Sequence, residues 1–282
     1  MYIIELGYFD IKKHRMARAI GPDIYLIQQC IDKPVMSKSL RVNPPDWYNP
    51  EKTLHVCNNA YLIDGNQTLL YDTVSPGAQD QLMEELDDVL GNKGLDYIVP
   101  SHPEAPHAGN TNALLRRYED ATLLSSAYGR GEELYYLDRG RQVNAGDQLD
   151  LGGYTVEFLE ATFPDTAFHI WMKELESGTL FTADWMGSPH VDGECQLFAD
   201  EFDDGLSAEQ ILEFQARALR WLQYCDESAV EQAIDKLISA HEPSIICPAH
   251  GTVIRENAVE YMELMKRVVH MIVHGKKFAE LK

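Results

Sequence analysis

Residues 55–74 read HVCNNAYLIDGNQTLLYDTV. Two apolar runs, AYLI and TLLYDTV, flank Asp64-Gly65-Asn66, residue types that tolerate the positive φ of a tight β-turn, so this stretch predicts a hairpin. Pro76-Gly77 ends its second strand. Upstream, residues 23–29 (DIYLIQQ) have strand character, and a proline-rich loop (Pro44, Pro45, Pro50) separates them from the hairpin. Downstream the period changes: Leu82, Leu86, Val89 and Leu90 place one apolar stripe along a helix over 78–90. Residues 95–99 then form a short apolar strand that runs into a loop over 100–112.

The alternation repeats. A helix over 111–118 and a strand over 122–125 lead into β-rich sequence over 147–159, where Gly152-Gly153 makes a second hairpin turn. Residues 167–173 and 179–183 read as strands around a turn at Gly178. Residues 207–224 and 229–241 are amphipathic helices, 245–247 a short buried strand, and 256–274 a last helix. Hairpins at both ends, with helices between the central strands, predict an α/β protein with two mixed sheets and helices outside them, an αββα sandwich. The spread of these elements, without repeat or low-complexity linker, predicts a single domain over 1–282.

Composition narrows the function. Against 45 Asp and Glu stand 24 Lys and Arg, a formal charge of −21, whereas a nucleic-acid backbone or an anionic membrane surface selects clustered Lys and Arg. A 45% hydrophobic content over 282 residues is enough for a full core, which excludes a disordered chain. The N-terminal stretch carries internal charges and predicts no signal peptide, and no window approaches the ~18 uninterrupted apolar residues of a membrane span. Five scattered cysteines (Cys30, Cys57, Cys195, Cys225, Cys247), with no CxxC pair, predict reduced thiols in a cytoplasm rather than a disulfide framework or zinc knuckle.

Three segments carry candidate chemistry. The loop SHPEAPHAGN, residues 101–110, directly follows the strand LDYIVP and offers His102, Glu104 and His107, two imidazoles and a carboxylate suited to a transition metal. LFTADWMG, residues 180–187, sets Asp184 at the end of an apolar strand, where a carboxylate has no packing role and can bridge two ions. IICPAHGT, residues 245–252, does the same with His250, followed by a glycine that lets the backbone turn sharply. Each alone also fits a polar loop, a strand-end cap or a satisfied core histidine; together, all at strand C-termini, they predict a metal centre.

These segments resemble the metallo-β-lactamase superfamily and, within it, the iron domain of flavodiiron proteins, over about residues 20–265. In that family the first motif reads HxExDH, and His102, Glu104 and His107 match it. NNAYLID, LLYDTV, FTADWMG and ICPAHG are similar to flavodiiron segments too. The resemblance implies a metallo-β-lactamase-type sandwich, here of the stand-alone, oxygen-binding di-iron type. It also implies two ions, one held by His102, Glu104 and a bridging Asp184, the other by His107, Asp184 and His250. Two family ligands are missing: Pro106 replaces the motif's aspartate, and Thr162, in ATFPDT, replaces the histidine of a segment similar to LHWPDT. Asp165 and His190 are candidates to compensate, and His55, His169 and Glu160 carry weaker signals.

A donor set of imidazoles and carboxylates suits iron, manganese or zinc. Glu104 in place of a third imidazole favours a more oxidised ion, so iron is expected, with zinc or manganese as alternatives and no flavin on this chain. The expected function is binding or reduction of O2 or NO, as an oxygen sensor or as a reductase fed by a separate electron donor, with a signalling protein as the other possible partner. The resemblance implies a homodimer. The alternatives are a zinc hydrolase of the same fold, acting on an ester, lactone or thioester, and a degenerate interaction module.

Overall fold

The hairpin of residues 55–74 lies at the heart of the larger of two sheets in a computed structural model, which describes residues 17–32, 54–127, 140–166, 169–191 and 196–275. Strands β1 (Arg18–Gly21) and β2 (Ile24–Asp32) pair antiparallel, and β2 runs along β3 (Leu54–Asp64) from Ile24 opposite Ile63 to Asp32 opposite His55. β4 (Thr68–Tyr71) completes the expected hairpin. β5 (Tyr97–Val99), β6 (Thr122–Ser126) and β7 (Gly140–Val143) extend the sheet in parallel, and β12 (His190–Val191) pairs with the start of β3.

The second sheet has the order β13-β11-β10-β9-β8, from β8 (Gln148–Asp150), β9 (Thr155–Glu160), β10 (Ile170–Glu174), β11 (Thr179–Ala183) and β13 (Ile245–Pro248). Its pairs are antiparallel except β11 with β13, so both sheets are mixed.

Side-chain alternation along β3 explains the layering. Tyr61 and Ile63 point between the sheets, packing with Tyr71, Phe158, Met172 and Phe181, while Ala60 and Leu62 point the other way. There they meet Leu82, Leu86 and Leu90 of α1 (Gln79–Leu90) and Leu114 of α3 (Thr111–Arg117). On the far side of the second sheet, Trp171, Leu180 and Ile246 pack against α4 (Ala208–Ala218), α5 (Glu227–His241) and α6 (Ala258–His274). Because both faces of the central strands are covered, β4 (TLLY) and β11 (TLFTA) are buried at every residue, each large apolar side chain contributing about 1.5–3 kcal/mol. This is the αββα sandwich expected from the element order.

Some boundaries differ. The expected helix over 207–224 breaks at Leu219, and a 3-10 turn (Arg220–Tyr224) follows, in which the Trp221 indole donates to the Pro164 carbonyl at 2.8 Å. The loop over 100–112 contains a short helix, α2 (Ala105–Ala108), with Pro106 in its first turn, where a missing N–H costs nothing. β1, β7 and β12 were not expected; they are short, and their pairing partners, not their own pattern, hold them in the sheet. Residues 167 and 168 of the expected strand 167–173, the prolines of the loop before β3, and Cys195 lie outside the described residues. No helix among the described residues is long and apolar enough to cross a membrane.

The topology brings the candidate residues to one end. β4 and β5 are parallel neighbours in the first sheet, and β11 and β13 are parallel neighbours in the second. The loops leaving all four therefore emerge together, where the sheets face each other.

Candidate metal centre

Asp184, the first residue after β11, is the hub. Its carboxylate is buried, and its two oxygens face different partners. Oδ2 lies 3.7 Å from His102 Nε2 and 3.8 Å from His169 Nε2, whereas Oδ1 lies 3.4 Å from His107 Nε2 and 3.0 Å from His250 Nε2. One carboxylate thus serves two lobes. In one, His102, Asp165, His169 and Asp184 present donor atoms within 4.8 Å of one another; in the other, His107, Asp184 and His250 do so.

Each imidazole of the His107 lobe, and His102, is turned by a partner at Nδ1. The His107 Nδ1–H donates to Asp72 Oδ2 (2.9 Å), that of His250 to the Cys57 carbonyl (2.9 Å), and that of His102 to Ser101 Oγ (3.0 Å), assignments made from these partners. All three turn Nε2 toward Asp184, the nitrogen that a metal would take in exchange for any proton on it. The Nε2 atoms of His102 and His107 are buried and make no hydrogen bond of good geometry, and neither does Asp184 Oδ1. Buried donors that converge without partners are costly in a packed interior unless something binds them, so the residues fit a pair of cations.

Charge points the same way. Burial pushes His102 down to about 4, with the neighbouring His107 adding to the effect, so its ring is neutral. Burial opposes a charge on His107 too, but the Asp72 and Asp184 carboxylates push it up to about 10. Asp184 is held well below the usual carboxylate range: burial works against the charge, and His107 and His250 outweigh it. In the lobe around His107 a proton on the ring offsets the charge of the Asp72 and Asp184 carboxylates, a place that a divalent cation can take.

The backbone is bent to fit. Asp72, Val74, Ala183 and Met186 all have positive φ, unusual outside glycine. The Asn110 side-chain amide donates to the carbonyls of Thr73, Val74 and Ser75, and Thr73 Oγ1 donates to the His107 carbonyl (2.9 Å), which ties the β4 loop to the β5 loop. The buried Gln215 of α4 donates to the Asp184 and Gly187 carbonyls (3.0 and 3.2 Å) and holds the turn after β11. Gly251 has φ +84°, and a Cβ there would lie 1.8 Å from the Ser188 carbonyl oxygen, which explains the glycine after His250.

Of the residues singled out in the sequence, the structure brings His102, His107, Asp184 and His250 together. Glu104 lies at the rim: its side chain is 51% exposed, its Oε2 is 3.9 Å from His102 Nε2, and it belongs to neither lobe. Asp165 reaches the centre through a close contact of its carboxylate with His169 Nε2. His190 does not; it is buried elsewhere, against Cys57. Two participants carried little or no weight in the sequence. His169, which stacks on His102 with ring centroids 3.9 Å apart, supplies an imidazole seven residues beyond Thr162. Its only sequence signal is a histidine immediately before the apolar run IWM. Asp72 was visible as a carboxylate ending the apolar run LLY, the same pattern that marks Asp184.

Comparison with known proteins gives a consistent picture. The family model described as "ODP family beta lactamase" matches residues 56–251. The rubredoxin-oxygen oxidoreductase of Megalodesulfovibrio gigas is 29% identical over 205 residues, 70% of this chain and 49% of that protein. The anaerobic nitric oxide reductase flavorubredoxin of Vibrio vulnificus is 27% identical over 216 residues, 73% of this chain and 42% of that protein. The chain therefore spans about half the length of these relatives, or less. Among solved structures, rubredoxin oxygen:oxidoreductase from Desulfovibrio gigas superposes with a TM-score of 0.70 at 24% identity, covering 92% of this chain and 61% of that one. The flavodiiron protein from Giardia intestinalis superposes with a TM-score of 0.68 at 17% identity, covering 92% and 59%. At these identities the superpositions establish the shared fold.

Proposed function

This chain belongs to the ODP family beta lactamases, and on that premise we propose that it holds two iron ions and uses them to bind or reduce O2 or NO. The observation that carries the reading is the divided Asp184 carboxylate, one oxygen to His102 and His169, the other to His107 and His250. Asp184 would bridge the ions, His102 and His169 with Asp165 would hold one, and His107 and His250 the other, with Glu104 swinging in from the rim. The relatives named for O2 and NO chemistry support this choice of substrate class. When bound, the iron pair supplies electrons and open coordination positions for a diatomic ligand.

The chain's own residues prepare that chemistry. Asp72 and Ser101 fix the His107 ring, and the Cys57 carbonyl fixes that of His250. Phe214 packs against the His250 ring, with centroids 4.9 Å apart, and so limits its rotation. A cavity of about 130 Å³, lined by Ser126, Val143, Asn144, Leu159, Glu160 and Ile170, reaches His169 of the other lobe. Electrons come from another protein or domain, and a chain that takes up O2 without a donor acts as a sensor.

Anaerobic purification, a metal count and a spectrum before and after O2 or NO test this. Iron in both lobes and an optical change on gas addition are expected; zinc in both lobes, with no response to either gas, would overturn it in favour of a hydrolase. Sustained O2 consumption with a chemical reductant marks a reductase, and a single stoichiometric uptake marks a sensor.

A further inference from the structure

A second group of metal-binding side chains lies in the first sheet, apart from the centre just described. Cys30 on β2 and Cys57 on β3 are direct cross-strand partners, with sulfurs 3.2 Å apart. β12 pairs with the start of β3 so that His190 stands opposite His55, and His190 Nδ1 lies 3.1 Å from the Cys57 sulfur. Donor atoms of Cys30, Cys57 and His190 lie within 4.8 Å of one another; His55 Nδ1 lies 3.6 Å from the Cys30 sulfur at the edge of that group and is the ligand that has to move in. Residues 55 and 57 of one strand share a face, and a directly opposed partner shares the face of its mate. The register alone therefore sets all four side chains into one block, His55 and Cys57 along β3 with His190 and Cys30 facing them. His55, Cys57 and His190 are buried and Cys30 is half-buried.

We propose that Cys30, His55, Cys57 and His190 form a tetrahedral site for zinc or a similar borderline-soft divalent ion. Two sulfurs and two imidazole nitrogens are the donor set of closed structural zinc sites. Ligands about 2.3 Å from one zinc place two sulfurs about 3.7 Å apart, so the observed pair has only to open by about half an ångström. Each cysteine gives up its proton to solvent as it binds. The surroundings suit the role: His190 offers Nδ1 to the cluster while its Nε2–H donates to Thr252 Oγ1 (3.2 Å), the outer contact that fixes a ligating ring. The block also reaches the other centre, because Cys57 carries the carbonyl that orients His250. An ion there clamps β2, β3 and β12 together beneath the His250 loop, whichever metal the other centre holds.

Anaerobic titration of the reduced full chain with Co2+ tests this, because only thiolate ligation gives the intense near-ultraviolet charge-transfer band. The band is expected in the wild type, in Asp184→Asn and in Cys225→Ser, with loss on adding zinc and in Cys30→Ser and Cys57→Ser. No band in the reduced wild type overturns the proposal, as does a band that survives in the Cys30→Ser/Cys57→Ser double variant. So does a Cys30–Cys57 disulfide that, once reduced, yields a chain taking up no thiolate-bound cobalt. Circular dichroism checks the folding of each variant. If a serine variant unfolds, His190→Gln replaces it: a changed tetrahedral cobalt spectrum supports the site, and an unchanged one overturns it.

Discussion

The two donor clusters touch the same strand but are built by opposite means. The carboxylate and imidazole centre hangs mainly from loops leaving β4, β5, β11 and β13, so His102, His107, Asp184 and His250 each follow an apolar strand, while Asp165 and His169 lie between β9 and β10. The thiol and imidazole block lies within the pleat of β2, β3 and β12, and its residues are scattered in sequence until the register aligns them. A strand-end site advertises itself, because a buried run followed at once by a charged or imidazole side chain has no packing explanation. A site within a sheet is silent, since Cys is an ordinary core residue and alternation hides its partners.

Asp184→Asn is the sharpest way to separate the clusters. It removes the charge shared by both lobes, so both ions of the strand-end centre are expected to be lost while the thiolate–cobalt band survives; metal counting and the band together read this. Gly251→Ala should instead damage both, because its Cβ would meet the Ser188 carbonyl in the segment between His250 and Thr252. A stability loss of about 3 kcal/mol or more is expected in denaturant titration, at a positive φ that the neighbouring chain does not let relax. Asp72→Ala leaves every proposed ligand in place but frees the His107 ring and leaves the Ser101 N–H, which donates to Asp72 Oδ1 (2.7 Å), without that acceptor. A metal affinity lower by about 10- to 100-fold is expected, read by competition with a chelator. His169→Ala should cost more metal than Glu104→Ala, since His169 is buried in the lobe and Glu104 stands half-exposed at its rim; equal losses would return Glu104 to the centre.

A change remote from both clusters calibrates the stability effects. Glu85 of α1 is buried, and burial, reinforced by Asp88 and Glu84, raises its carboxyl from 4.5 to about 7 against the Gln81 hydrogen bond. Its folded-state value exceeds its unfolded one, so its contribution is fully present below about pH 4.5 and is lost as the pH rises to about 7. Glu85→Gln should therefore be nearly neutral at acid pH and stabilise the chain by up to about 3 kcal/mol above neutrality, measured as the denaturant midpoint against pH.

Much of the fold was legible because local rules agreed with the global result. The Asp64-Gly65-Asn66 turn, the Gly152-Gly153 turn and the stripe Leu82, Leu86, Leu90 each specify one element on their own. The end of the helix at Leu219 did not follow from periodicity, which carries it to 224, because the helix gives way where Trp221 reaches the Pro164 carbonyl of a distant loop. In the centre, Asp184, His250 and the pair His102 and His107 could be read from strand-end position. His169 could not, because it precedes its strand and becomes a neighbour of His102 only when β10 lies beside β9 and β11.

Sequence by itself determined the two-sheet sandwich, the acidic character and the residues that leave the strands where the sheets meet, since these depend on spacing and residue type along the chain. Tertiary structure alone decided how Asp184 divides its oxygens, that Asp165 and His169 join His102 at one of them, and that His190 lies with Cys30, His55 and Cys57. Those are distances between segments up to about two hundred residues apart, as with the Cys57 carbonyl and His250, separated by 193 positions. Strand register and loop strain set such distances, and neither is written in any local stretch of the chain.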